Sequence, residues 1–184
     1  MRIFIALELS GDFLENLLEK IEPLKIKYPY LRWIPVSNFH ITLAFLGETD
    51  AGLLPDIFNA VKNAAETPSI HAGAGKLFTL PRGRSPNVLA MGFNEGSAEI
   101  TSLAKSTMNN LRKFNIFIEE RSFIPHITLA RKGRAGPEIN KQDFINISFP
   151  VHGEFNQVAV FESKLSSHGA DYIALEEFTL SGSG

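Results

Sequence analysis

The pentapeptide His-Ile-Thr-Leu-Ala occurs twice in this chain, at His40–Ala44 and at His126–Ala130, 86 residues apart. An identical pair of this length arises by chance in about one of a couple of hundred chains of this size. A duplication would relate other segments by the same offset, and it does. Ile3–Leu9, an apolar β-rich run, lands on 89–95, which is another such run. Asp12–Lys27 carries Phe13, Leu14, Leu17, Leu18 and Ile21 at helical spacing, and lands on 98–113, where Ile100, Leu103, Ala104 and Leu111 keep part of the phase. Ile70–Leu80 lands on 156–166. The chain therefore reads as two copies of a strand–helix–strand–strand–helix–strand unit, roughly 1–86 and 87–180, with 181–184 as a flexible tail. Duplicated units commonly pack about a pseudo-two-fold axis, and that arrangement faces the two pentapeptides towards each other.

The remaining elements are read from local pattern. Ser10 or Asp12 is placed to cap the first helix, and Pro23 kinks or ends it near Lys27. Arg32–Pro35 and Phe39–Leu46 read as strands, and Leu53, Leu54, Ile57, Phe58 and Val61 mark a second amphipathic helix. Gly73 and Gly75 inside Ile70–Leu80 predict a bulge or bend. Pro81–Asn87 is a breaker-rich boundary loop holding Arg82 and Arg84. Val88–Phe93, Asn115–Glu119 and Ile124–Ala130 read as strands, Glu138–Phe144 as a short helix led by Pro137, and Phe155–Leu165 with Tyr172–Leu180 as a closing strand pair.

Composition narrows the functional classes. Twenty acidic and 18 basic side chains give a net charge of −2, which excludes a uniformly basic nucleic-acid coat but permits a local basic patch. With no cysteine there is no disulfide, thiolate metal ligand or cysteine nucleophile. That agrees with a cytoplasmic location, the one expected here. The opening MRIFIALELS is broken by Glu8 and reads as a strand, not an export signal, and no apolar run reaches the roughly 18–20 residues of a membrane span.

The chemistry sits in the repeat. Residues i and i+2 of a strand share a face. His40 and Thr42 thus point one way and Ile41 and Leu43 the other, as do His126 and Thr128 against Ile127 and Leu129. Packing alone would favour the aliphatic positions and gives no reason to keep a histidine and a threonine on the opposite face twice. Two converging imidazoles suit acid–base work: near neutral pH one can be neutral and the other protonated. One takes a proton from water, the other gives one to a leaving oxygen, and the threonine hydroxyls donate to the oxygens of a phosphate between them. A strained cyclic phosphodiester is the best fit. Zinc fits poorly, since neither motif has a carboxylate at ligand spacing and HExxH is absent. His71, His152 and His168 read as structural or surface histidines.

The paired His-x-Thr-Leu motifs resemble those of the 2H phosphoesterase superfamily, and within it the LigT-like RNA 2′,3′-cyclic phosphodiesterases. RIFIALEL, Trp33–Gly47 (WIPVSNFHITLAFLG), Phe123–Arg131 (FIPHITLAR) and Phe161–Tyr172 (FESKLSSHGADY) are similar to the family's opening strand, two motif regions and closing region. The resemblance implies an α+β, bilobal fold in which two antiparallel sheets form a V-shaped cleft with helices on the outer faces. It implies metal-independent, cofactor-free hydrolysis of RNA 2′,3′-cyclic phosphate ends to 2′-phosphate, by a monomer. His40 and His126 become the acid–base pair, the first usually drawn as the acid, and Thr42 and Thr128 the phosphate ligands. Their identical surroundings in sequence leave the two histidine roles open. A 2′–5′ RNA ligase or 2′–5′ phosphodiesterase using the same residues is the alternative, and a non-catalytic RNA-end binding module is a third reading.

Basic residues add a modest RNA track. Arg121, Arg131, Lys132 and Arg134 lie in a stretch free of acids, and Arg82 and Arg84 sit in the boundary loop. Arg131 and Arg84 are the candidates for phosphate contact. Arg131 matches an arginine that often ends the family's second motif. Strict alternation puts it opposite His126, so it reaches a phosphate only if the strand ends or bulges there. Trp33 and Phe39 read as core aromatics in preference to base-stacking ones.

Overall fold

The computed structural model describes residues 1–81, 85–119, 122–134, 136–166 and 169–182. Its regular elements are β1 (Arg2–Glu8), α1 (Gly11–Lys27), β2 (Arg32–Trp33), β3 (His40–Glu48), α2 (Leu54–Ala64), β4 (Ile70–Leu80), β5 (Val88–Glu95), α3 (Ser97–Lys113), β6 (His126–Arg131), β7 (Ser148–Phe155), β8 (Gln157–Ser166) and β9 (Gly169–Thr179). The strands form two antiparallel sheets, a four-stranded one ordered β3-β1-β8-β9 and a five-stranded one ordered β2-β6-β5-β4-β7. The fold is α+β, with the two antiparallel sheets expected.

The two sheets are not the two sequence repeats. Each holds the first and third strands of one repeat, β1 with β3 or β5 with β6, joined to the last strand of the other, β8 or β4. The order β3-β1-β8 thus repeats as β6-β5-β4. Because the last strands are exchanged, neither repeat has a complete sheet without the other. The motif strands β3 and β6 lie against each other where the sheets meet.

Burial matches the expected stripes. Ile3, Ile5 and Leu7 of β1 join Phe13, Leu17 and Ile21 of α1, all with 0% exposure, in the core. The helix runs through Pro23 and stops at Lys27; Ser10 holds its N-cap position without a side-chain hydrogen bond. The bend expected in β4 is present as register shifts at Gly73–Ala74 and Ala74–Lys76. Phe39 is buried and Trp33 packs on the core, its indole N–H donating to the Tyr28 carbonyl at 3.2 Å.

Four local expectations need correction. Asn115–Glu119 forms no strand: Asn115 adopts φ +57° and only the Glu119 amide reaches a neighbouring chain segment, at the Phe45 carbonyl. Glu138–Phe144 is not a helix, and only the 3₁₀ turn Lys141–Asp143 forms, closed by the Asn140 side chain accepting from the Gln142 amide. This segment offers only Ile139 and Phe144 to the core, too narrow a stripe to hold a helix. β7 is absent from the sequence reading, because Pro150 and Gly153 argue against a strand; it survives as a sheet edge, where a missing N–H is tolerated. Ser181 and Gly182, expected in a flexible tail, donate backbone hydrogen bonds to the Ala65 and Thr67 carbonyls. Among the described residues no helix is long and apolar enough to cross a membrane.

The seat of α1 on β7 yields a test. A Cβ on Gly153 would lie 2.8 Å from the Cβ of fully buried Phe13. Gly153→Ala should lower stability by about 1–3 kcal/mol, as overpacked sites do. Gly11→Ala, with nothing within 4 Å of its Cβ position, should not. Thermal melts of the two variants decide it; equal melting temperatures would show that α1 is not seated on Gly153.

Candidate active site

Both pentapeptides contain the same backbone irregularity. In β3, Ala44 pairs with Ile5 but Thr42 pairs with the next residue, Ala6, so Leu43 is an extra residue. In β6, Ala130 pairs with Leu89 and Thr128 with Ala90, so Leu129 is extra. A bulge of this kind shifts the alternation of everything beyond it by one. Leu43 and Ala44 are therefore both buried, as are Leu129 and Ala130. The phase change also carries Arg131 onto the face of His126 and Thr128. This meets the condition under which the sequence allowed Arg131 a phosphate contact.

On the cleft side of the bulge, each histidine is held in one tautomer. His40 Nδ1 lies 2.8 Å from the Asn38 carbonyl and His126 Nδ1 lies 2.6 Å from the Ile124 carbonyl. A carbonyl oxygen only accepts, so each Nδ1 carries the proton and each Nε2 presents a lone pair. At His40 that lone pair accepts from the Thr42 hydroxyl at 3.0 Å. Residue i−2 supplies the fixing carbonyl in both copies, a relation that no side-chain pattern reveals.

The surroundings then diverge. The His40 ring lies 4.9 Å from Phe4, 5.3 Å from Tyr172 and 6.4 Å from Phe161, centroid to centroid. The His126 ring has Phe78 edge-on at 6.2 Å. Asn38, besides offering its carbonyl to His40, donates its side-chain amide to the Ala170 carbonyl on β9 at 2.7 Å. Ile124 has no donor to match. Sequence reasoning passes over Asn38, Phe4, Phe78 and Phe161 as site residues; the aromatics read as ordinary core.

This environment corrects one expectation. Burial pushes the His40 pKa down from 6.5 to about 4, opposed by the Asn38 carbonyl and helped by His126 when that ring is protonated and by the Arg131 charge. Burial and Arg131 also lower His126, against its Ile124 carbonyl. Both rings are thus neutral in the free protein near pH 7, whereas the sequence suggested one charged. The same shifts put the Arg131 guanidinium within electrostatic reach of both rings.

The other cations divide. Arg131 and Arg134 are exposed, while Lys132 sits 3.9 Å from Glu138. Arg84, the second candidate phosphate contact, lies outside the described residues with Arg82 and Arg121. His152 pairs with Glu95 at 3.6 Å away from the motifs, and His71 stands across from Glu154; His168 is outside the described residues. No three His, Asp or Glu side chains among the described residues are grouped to hold a metal ion.

The sequence and the fold are similar to those of known proteins. The family model described as LigT like phosphoesterase matches twice, over residues 8–89 and 93–172. A protein of Aquifex aeolicus named RNA 2′,3′-cyclic phosphodiesterase is 31% identical over 156 residues, 82% of each chain. One of Thermus thermophilus with the same name is 30% identical over 190 residues, covering 99% of this chain and 91% of its own. Among solved structures, TT0787 of Thermus thermophilus superimposes over 100% of both chains with a TM-score of 0.82 and 25% identity. Escherichia coli LigT, crystallised with NADP+, covers 98% of both with a TM-score of 0.74 and 21% identity.

The depressed histidine pKa values carry a stability consequence. Between 6.5 and about 4 the unfolded His40 binds a proton that the folded ring refuses. Stability must therefore fall as the pH drops through that window, and His126 acts in the same direction. Melting temperatures across that window should decline in the wild type and less steeply in His40→Asn. Identical slopes would mean that His40 is not held neutral by the fold.

Proposed function

The chain belongs to the LigT-like phosphoesterase family, and from that premise we propose that it hydrolyses RNA 2′,3′-cyclic phosphodiester ends to 2′-phosphate without a metal. The observation that supports this most is the matched pair of histidines, each with Nδ1–H held by the carbonyl two residues back, and the two close enough for His126 to perturb His40. The relatives named above carry the substrate class.

In this reading His40 and His126 are the acid–base pair, and Thr42, Thr128 and Arg131 hold the phosphate. The Thr42 hydroxyl leaves His40 Nε2 to donate to a non-bridging oxygen, which frees that lone pair. One neutral ring takes a proton from the attacking water. The other, protonated, gives its proton to the leaving ribose oxygen. Since both rings are neutral in the free protein, the acid gains its proton in the complex, where the phosphate's negative charge raises its pKa. Burial keeps both rings neutral and Arg131 adds a smaller push in the same direction, so an anion that offsets the Arg131 charge links protonation to occupancy. The residues involved are imidazoles, hydroxyls and a guanidinium, a set that stabilises phosphate charge by hydrogen bonding.

An RNA oligonucleotide ending in 2′,3′-cyclic phosphate should be converted to the 2′-phosphate in excess EDTA. His40→Asn and His126→Asn should each lose at least about 10² in kcat, the worth of one proton transfer. Thr42→Val and Thr128→Val should each cost about 10². Full turnover in both histidine variants would overturn the assignment. Ligation of 2′–5′ ends in place of hydrolysis would favour the ligase reading, and tight binding without turnover the binding-module one.

The pH profile offers a separate check. kcat/KM reports the free protein and kcat the complex. The kcat/KM optimum should lie on the acid side of 6.5, because burial lowers both rings. The kcat optimum should lie above it. Coincident optima would exclude protonation on binding.

A further inference from the structure

The ladder between β2 and β6 sets Arg32 directly across from Arg131. Like charges in that position repel, and among the described residues neither guanidinium has a carboxylate partner. Both side chains are exposed. The bulge at Leu129 turns Arg131 to the face of His126 and Thr128, and directly opposed residues share a face, so Arg32 looks into the same cleft. Two held features keep the arginines side by side. The Ile34 amide donates to the Leu129 carbonyl at 2.9 Å, and a Cβ on Gly133 would be 2.8 Å from the Tyr30 carbonyl. A pair of unpaired, opposed guanidiniums on a cleft wall is relieved by an anion between or beside them.

The charge of Arg131 reaches both histidines, whereas that of Arg32 perturbs neither. Arg32 stands one strand farther out, about 4.8 Å. It is thus placed beyond the phosphate under attack. We propose that Arg32 binds the phosphodiester on the 5′ side of the terminal nucleotide, making the protein favour an RNA strand over a free nucleoside cyclic phosphate. This rests on the reaction proposed above and adds which substrate it prefers.

Arg32→Gln separates the two phosphates. The wild type and the variant are compared on a nucleoside 2′,3′-cyclic monophosphate and on a short RNA with the same cyclic end, at two salt concentrations. The variant should lose about tenfold in kcat/KM on the RNA, with a log–log salt dependence shallower by about one, the signature of one phosphate contact. On the mononucleotide it should change by less than about twofold, since no second phosphate is present there to lose. Equal losses on both substrates, or no loss on RNA, overturn the proposal. If the wild type turns over neither substrate, the reaction is refuted. The affinity for a 3′-phosphorylated RNA of the same length then decides about Arg32: a shallower salt slope in the variant upholds the contact, and an unchanged slope overturns it.

Discussion

One extra residue in each motif strand determines most of this site. A flat β-strand would put Ala44 and Ala130 on the face of the histidines, leaving a methyl group where the proposed phosphate would lie. The bulges turn Leu-Ala inward as a pair, so each motif strand is anchored by two consecutive buried residues just past its threonine. They also reverse the facing of the next residue along. In β6 the residue so turned is Arg131; at the corresponding place in β3 it is Phe45, over whose ring the Arg2 guanidinium lies at 5.1 Å. Anchor and cation placement both derive from one backbone feature that the fold repeats because the sequence does.

Duplication supplies two imidazoles at once but supplies them alike, and the proposed acid–base reaction needs them to differ. The difference comes from outside the pentapeptides. His40 lies among Phe4, Phe161 and Tyr172, while His126 has Phe78 alone. Phe161 and Tyr172 reach His40 only because β8 and β9, late in the chain, complete the sheet of the first repeat. The strand exchange therefore locks the repeats together and gives identical motifs unequal dielectric surroundings. The His40 pKa, lowered to about 4, is the clearest trace of that inequality.

How far the sequence discloses this depends on which physical signal each feature leaves. β3, β6, α1, α2 and α3 carry strong apolar periodicity, and the repeat checks each pair against its counterpart. Gly73 and Gly75 announce the irregularity of β4 by composition. The motif bulges leave no such mark: Leu and Ala at neighbouring positions fit a flat strand equally well, and only the ladder partners Ala6 and Ala90 reveal the slip. β7 is hidden by Pro150, which is acceptable solely because the strand lies at an edge. The second repeat's missing helix is obscured by the repeat itself, which suggests a counterpart to α2 where the local stripe is too thin to support one. The carbonyls of Asn38 and Ile124 are backbone groups, and no pattern of side chains encodes their direction.

A chain with a net charge of −2 can still take a polyanion, because the field that matters is local. Within the cleft the two walls differ. On the four-stranded sheet Glu8 stands directly across from His40, and its carboxyl pKa is raised by burial and by the nearby Glu177. On the five-stranded sheet Arg32 and Arg131 stand opposite each other, and among the described residues neither pairs with a carboxylate. In the proposed reaction the second wall favours a phosphate strand, whose end would then enter along the β2 and β6 side. The terminal nucleoside of such a strand would face Phe4, Phe161 and Tyr172 around His40. Overall charge thus says little about this protein's partner; in the proposed reaction it is the local charge of each wall that would set the direction of an RNA end.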